Sequence, residues 1–146
     1  MTPVLALDLE GTLITTLGRR NPRPGLFQFL EQCKEIFNRI VIYTAVDEED
    51  FRIVARELIS NGHAPAWFGD IEHIEWEGII KDLLFIPGVD SADGAIIVDD
   101  NEFMIHPDQK SQWIEIIDYD RIHPHVDFEF VRVLEQLKSF STVSYT

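Results

Sequence analysis

Two carboxylates one alternation apart, Asp8 and Glu10, follow an apolar run and stand just before Gly11-Thr12. A carboxylate in such a place can attack phosphorus and form an aspartyl-phosphate. A second one two residues on shares its side of an extended chain and can handle a proton. Three further reactive positions follow: Thr44 after Ile40-Val41-Ile42-Tyr43, Lys81 in an apolar setting, and Asp99-Asp100 after Ala95-Ile96-Ile97-Val98. Carboxylate oxygens are the ligands that magnesium takes. A cation and a lysine offset the charge on a transferring phosphoryl group, and a hydroxyl donates to one of its oxygens. For Asp8 and Glu10 alone, a polar turn after a strand is the plainer alternative. The four features in this order point to phosphoryl transfer.

The elements that must position these residues alternate along the chain. Val4 to Leu7 suits a strand buried on both faces, and Gly11 breaks it. Arg23-Pro24-Gly25-Leu26 opens a helix, with proline in the first turn and Leu26, Phe29, Leu30, Cys33 and Phe37 on one face. Arg39 to Thr44 is the second strand run. Asp47 caps a second helix whose stripe is Phe51, Val54, Ala55 and Leu58 and whose end is Asn61-Gly62. Ala66-Trp67-Phe68 reads as a short strand, and 71–77 as a turn or a brief extended piece. Lys81-Asp82 lies in a short helix or turn. Gly94 to Val98 and Trp113 to Ile117 are strands, and Val126 to Phe140 is a terminal helix. The alternation predicts an α/β fold: a three-layer, Rossmann-like parallel sheet with helices on both faces. Asp8, Thr44 and Asp99-Asp100 then lie along the carboxyl edge of the sheet, where open α/β sheets bind ligands. A single domain over 1–140 is expected, with a polar tail at 141–146 that frays.

Composition narrows the function classes. At 146 residues, with 45% hydrophobic residues, the chain suits one globular domain with its own core. No apolar run approaches the roughly 20 residues of a membrane span, and the start lacks a signal-peptide pattern. Cys33 is the only cysteine. It sits in a helical pattern as a buried structural thiol and fits a reducing, cytoplasmic setting. A formal net charge of −14 repels nucleic acid. Arg19, Arg20 and Arg23 form the compact basic cluster. It is either a solvated loop or an attractor for an anionic substrate. His123-Pro124-His125 reads as surface loop rather than metal clip, because two histidines need further ligands. Trp76, just before Lys81, is placed to line the site. Asp118, Asp120 and Asp127 read as solvated or helix-capping.

With these motifs quoted, the chain resembles the haloacid dehalogenase superfamily. Its four motifs match Asp8-Leu9-Glu10-Gly11-Thr12, Ile42-Tyr43-Thr44, Lys81 and Val98-Asp99-Asp100. Arg23-Pro24-Gly25-Leu26, Lys81-Asp82-Leu83 and Ile96 to Asn101 resemble the branch of RNA polymerase C-terminal-domain phosphatases and their NIF-type relatives. The resemblance implies Asp8 as nucleophile and magnesium ligand, and position 10 as acid and base with its carbonyl on the metal. It implies Gly11, Thr12, Arg23, Thr44, Ala45 and Lys81 around the substrate. Asp100 takes the metal-ligand position usual in this branch and Asp99 pairs with Lys81, though other branches place the first acid on the metal.

Glu10 stands where those phosphatases carry aspartate. One methylene moves the carboxyl by a C–C bond, and a misplacement of about 1 Å can cost ~100-fold in rate. The site is then adjusted to glutamate, or dephosphorylation is slowed, or catalysis has been given up for binding. A phosphotransferase is a further alternative. Neither 12–22 nor the span from Thr44 to Lys81 leaves room for a sizeable cap domain, so the resemblance implies an open site and a bulky substrate such as a phosphoprotein. Glu72, Glu75 and Glu77 would repel an acidic peptide.

Overall fold

The computed structural model describes residues 2–121 and 127–143. Five strands form one sheet in the order β3-β2-β1-β4-β5, each neighbouring pair parallel. They are β1 Val4–Leu7, β2 Ile40–Ile42, β3 Glu72–His73, β4 Ala95–Asp99 and β5 Trp113–Glu115. Every residue of β2 and β4 is buried, which is why both read as unbroken apolar runs rather than alternating ones. Leu7 pairs with Ile42 on one side and Val98 on the other. From β1 the chain moves outward to β2 and β3, then returns to β4 and β5. The direction reverses between β1 and β4, and a crevice opens beyond their carboxyl ends.

The two faces of the sheet are covered differently. Leu5, Leu7, Ile42, Ile96 and Val98 pack against α1 Leu26–Ile36, α2 Glu48–Ser60 and α3 Glu129–Val143. The stripes read from the sequence are the buried ones, and Phe29 stacks on Phe130 with ring centroids 4.1 Å apart. Asp47 accepts from the Asp50 N–H at 2.9 Å, as its N-cap position requires. The opposite face, Ala6, Val41, Tyr43 and Ile97, is covered by Ile74, Leu83, Ile86, Val89 and Ile105. Leu83 lies in the 3₁₀ turn Leu83–Phe85, Ile105 directly follows the 3₁₀ turn Glu102–Met104, and the others come from loops. The three-layer arrangement is present, with the three α-helices of the described residues in one layer and loops with 3₁₀ turns in the other. Gly78, Pro87 and Gly88 interrupt the β3–β4 connection before any long helix can form.

Some elements differ from the sequence reading. Ala66–Asp70 is a 3₁₀ helix rather than a strand, with Phe68 edge-on to Phe51 at 5.5 Å. An apolar run of three residues cannot by itself separate the two. The third strand is instead the two-residue β3, inside the stretch read as turn or extended. Helix α1 starts at Leu26 after Gly25 (φ 84), so Pro24 lies ahead of the first turn. Helix α3 continues to Val143, past the expected Phe140. His123-Pro124-His125 and 144–146 lie outside the described residues.

The basic cluster does not act as a unit. Arg19 pairs with Asp120 at 2.5 Å and Arg20 with Glu57 at 2.8 Å. Arg23 is buried, and its guanidinium is engaged within the fold. Its Nε donates to Asp127 at 2.8 Å, one terminal nitrogen to the Gly11 and Thr12 carbonyls at 3.2 Å each, and the other to the Ile117 carbonyl at 2.6 Å. The planar fork thereby ties the loop after β1 to the segment after β5 and to the start of α3. Asp127 is not solvated; it caps Glu129 through its second oxygen at 3.0 Å. Removing one partner of a buried pair leaves an uncompensated charge. Asp127→Asn is therefore expected to lower stability by about 3–5 kcal/mol, read as a shift in the urea midpoint at unchanged slope.

Candidate active site

The switch point between β1 and β4 brings the sequence-predicted residues together. The Asp8 N–H still donates to the Val98 carbonyl at 3.1 Å, so the first acid is held in the sheet's register. Asp8 and Asp99 project on the face of Ala6 and Ile97, which is the face covered by loops. Lys81 arrives from that loop layer. Its N–H donates to the Met104 carbonyl at 2.7 Å, and it bridges to Ile105. Its ammonium donates to Asp8 Oδ1 at 2.9 Å and to Asp99 Oδ2 at 2.6 Å. Lys81, Asp8 and Asp99 are all buried. Burial alone would lower the lysine's pKa, but the two carboxylates outweigh it and hold the pKa up.

The rest of the loop after β1 completes the setting of Asp8. The Thr12 hydroxyl donates to Asp8 Oδ2 at 3.0 Å. Gly11 has φ +80, and a Cβ there would collide with the Asp100 carboxylate. Glycine is therefore required twice over, by backbone conformation and by space. Glu10 accepts from the Leu17 N–H at 2.6 Å through Oε2. This tether uses the longer glutamate reach and leaves Oε1 to other partners. Thr44 is buried, and its Oγ accepts from the Val46 N–H at 3.1 Å, so its O–H remains available to donate.

A cavity of about 300 Å³ is lined by Asp8, Glu10, Thr44, Ala45, Lys81 and the Asp99-Asp100 pair. Asn101 and Met104 line it too, and sequence reasoning did not place them there. Asn101 had a signal in its position directly after the acid pair, and its N–H donates to Asp99 Oδ1 at 2.9 Å. Met104 had none, because a loop brings it in from the second layer.

A sequence profile described as NLI interacting factor-like phosphatase matches residues 3–145. The chain belongs to that family. No curated protein matches it significantly. Among the solved structures that share the fold of this NIF-like chain are two of Fcp1. The structure of Fcp1, an essential RNA polymerase II CTD phosphatase, is similar with TM-score 0.57 and 19% identity over 99% of this chain and 52% of that one. A variant of the fission yeast RNA polymerase II CTD phosphatase Fcp1, bound to beryllium fluoride, is similar with TM-score 0.59 and 19% identity over 99% and 54%. The chain thus spans about half the length of each. The haloacid dehalogenase-like fold expected from the motifs is the one found. Among the described residues no helix is long and apolar enough to cross a membrane.

The charge balance of this NIF-like site is uneven. One oxygen from each of Asp8, Asp99 and Asp100 lies within 4.8 Å of the others, and one lysine faces the three. Burial and then the Asp8 charge push the Asp99 carboxyl up to about 6 against the pull of Lys81. Burial, then proximity to Asp8, Asp99 and Asp118, push Asp100 up to about 8. Both values lie above the unfolded carboxyl near 3.9, so the folded chain without metal holds protons that the unfolded chain releases. That stability is complete below the unfolded value and is lost as pH rises through the folded ones. Chelator-treated protein is therefore expected to melt at a lower temperature at about pH 8 than at about pH 5. A calorimetric scan at each pH checks this.

Proposed function

We propose that this NIF-like chain is a magnesium-dependent phosphomonoesterase that works through an aspartyl-phosphate on Asp8. The observation that carries the reading is the setting of Asp8: a buried carboxylate at the end of β1, oriented by Thr12 and Lys81, beside two further carboxylates.

The donor set suits a small hard cation. Its atoms are oxygens, and Asp100 forms no ion pair with a cationic side chain among the described residues. Both Asp99 oxygens are engaged, one by Lys81 and one by the Asn101 N–H. The family resemblance favours Asp8 and Asp100 as the ligands, with Asp99 positioning Lys81; both Asp8 oxygens are likewise engaged, by Lys81 and by Thr12. The Glu10 carbonyl accepts no hydrogen bond from the described residues and is the third candidate ligand. When bound, magnesium supplies positive charge against the phosphoryl oxygens.

The chain's own groups then divide the reaction. An oxygen of Asp8 attacks phosphorus, forming the aspartyl O–P bond as the ester P–O bond breaks. Lys81 and the Thr44 O–H donate to phosphoryl oxygens. Glu10 gives a proton to the departing alkoxide. Glu10 then takes a proton from water, whose oxygen attacks phosphorus, releasing phosphate and restoring the Asp8 carboxylate. The Leu17 tether favours a site adjusted to glutamate over one disabled by it. The open crevice, with no further domain in the described connections, suits a phosphorylated protein segment rather than a small metabolite that must be sealed from water. The single buried thiol fits a cytoplasmic setting.

Hydrolysis of an aryl phosphate, with and without magnesium, tests the reading. Turnover is expected only with magnesium, and Asp8→Asn is expected to abolish it. Absence of turnover in folded protein would leave the binding-module alternative. Glu10→Asp withdraws the carboxyl and leaves the Leu17 N–H unpaired, so kcat is expected to fall by about 10–100-fold. A rise instead would show that glutamate limits the site. Magnesium is also expected to raise the melting temperature of the wild type, and much less that of Asp100→Asn, a readout independent of turnover.

A further inference from the structure

A second cavity, of about 610 Å³, opens beside the first and shares Thr44 and Ala45 with it. Because the two cavities meet there, groups attached to a phosphoryl group at Asp8 can extend into the second one. This inference therefore rests on the phosphatase reading and deepens it. The acids of its lining are Asp47, Glu48, Glu75 and Glu77, and the lining includes no lysine or arginine. Glu48 is matched by Arg52 at 2.8 Å. Asp47 caps α2 but faces no cationic side chain among the described residues. Glu75 and Glu77 are exposed and have no ion pair or hydrogen bond among the described residues. Glu72, grouped with them on sequence, is instead held by Arg39 through two bonds of 3.0 and 2.7 Å and lies outside the lining.

Trp76 stands between the two unmatched glutamates and is fixed from behind. Its indole N–H donates to the Thr44 carbonyl at 2.9 Å, and its ring meets Tyr43 edge-on at 5.4 Å. A fixed indole beside unmatched carboxylates suits the apolar stem and cationic head of lysine or arginine. The same charges oppose an acidic or multiply phosphorylated segment.

We propose that this groove receives the residues flanking the phosphorylated side chain of a basic phosphopeptide, with lysine or arginine seated against Trp76, Glu75 and Glu77. Charge complementarity and continuity with the reaction cavity single out a protein segment of positive charge as the occupant.

Three phosphoserine peptides, identical except for lysine and arginine, alanine, or glutamate beside the phosphoserine, test this with the whole chain and magnesium. The expected order of kcat/KM is basic, neutral, acidic. The basic peptide should exceed the acidic one by about tenfold at low salt and by less as salt is raised. In Glu75→Gln/Glu77→Gln that ratio is expected to fall toward one. Equal values for the three peptides, or a ratio unchanged in the double variant, would overturn the inference. If an aryl phosphate is hydrolysed without any peptide preference, only the inference fails and the phosphatase reading stands. If nothing is hydrolysed, the phosphatase reading fails, and fluorescence anisotropy of the same peptides on Asp8→Asn decides the inference. Tighter binding of the basic peptide supports it, and equal or reversed affinities overturn it.

Discussion

A lysine ammonium almost sealed from water, held at 2.9 Å by one carboxylate and 2.6 Å by another, is the contact around which this fold is arranged. Taking such charges out of water costs several kcal/mol per ion, and only close geometry offsets it. That geometry needs three separate chain segments in register. β1 and β4 must end side by side so that Asp8 and Asp99 share a face, and the loop layer must carry Lys81 onto that face. The parallel pairing of Leu7 with Val98 meets the first demand, and the Lys81–Met104 bond meets the second. The same packing that buries Lys81 against Asp8 and Asp99 brings Asp100 within 4.8 Å of both acids.

The work is divided between the two faces of the sheet. The helical face carries the larger apolar cluster and holds the strands. The loop face carries Lys81 and the residues that frame the reaction cavity. The loop after β1 is fixed from the side by Arg23, whose guanidinium spans the Gly11 and Thr12 carbonyls and Asp127. Glycine at position 11 then lets Asp100 approach where any side chain would block it.

The core strands and helices were legible because their signals are local. β1 and β2 are uninterrupted apolar runs, β4 is one up to Val98, and α1 and α2 show their buried stripes at helical spacing. The gathering of Asp8, Thr44, Lys81 and Asp99-Asp100 was legible because reactive residues at parallel strand ends must meet at one edge. The 3₁₀ identity of Ala66–Asp70 was not, since a three-residue apolar run carries no period. Nor was the burial of Arg23. Nothing near it in sequence announces Asp127 or the Ile117 carbonyl, which lie more than ninety positions away and meet it only in the folded chain. Met104 and the second cavity were hidden for the same reason, because loop paths are set by tertiary contacts rather than by pattern.

The bond from the Trp76 indole to the Thr44 carbonyl joins a groove wall to a residue of the reaction cavity through a single hydrogen bond. Trp76 belongs to the connection between β3 and β4, and Thr44 to the turn after β2. A displacement of the indole withdraws the donor from that carbonyl and leaves the turn to its other anchors, the Val46 N–H on the Thr44 hydroxyl oxygen and His73 on the Val46 carbonyl. An occupant of the groove that displaced the indole would thereby act on the turn that carries Thr44, and the effect would be reciprocal.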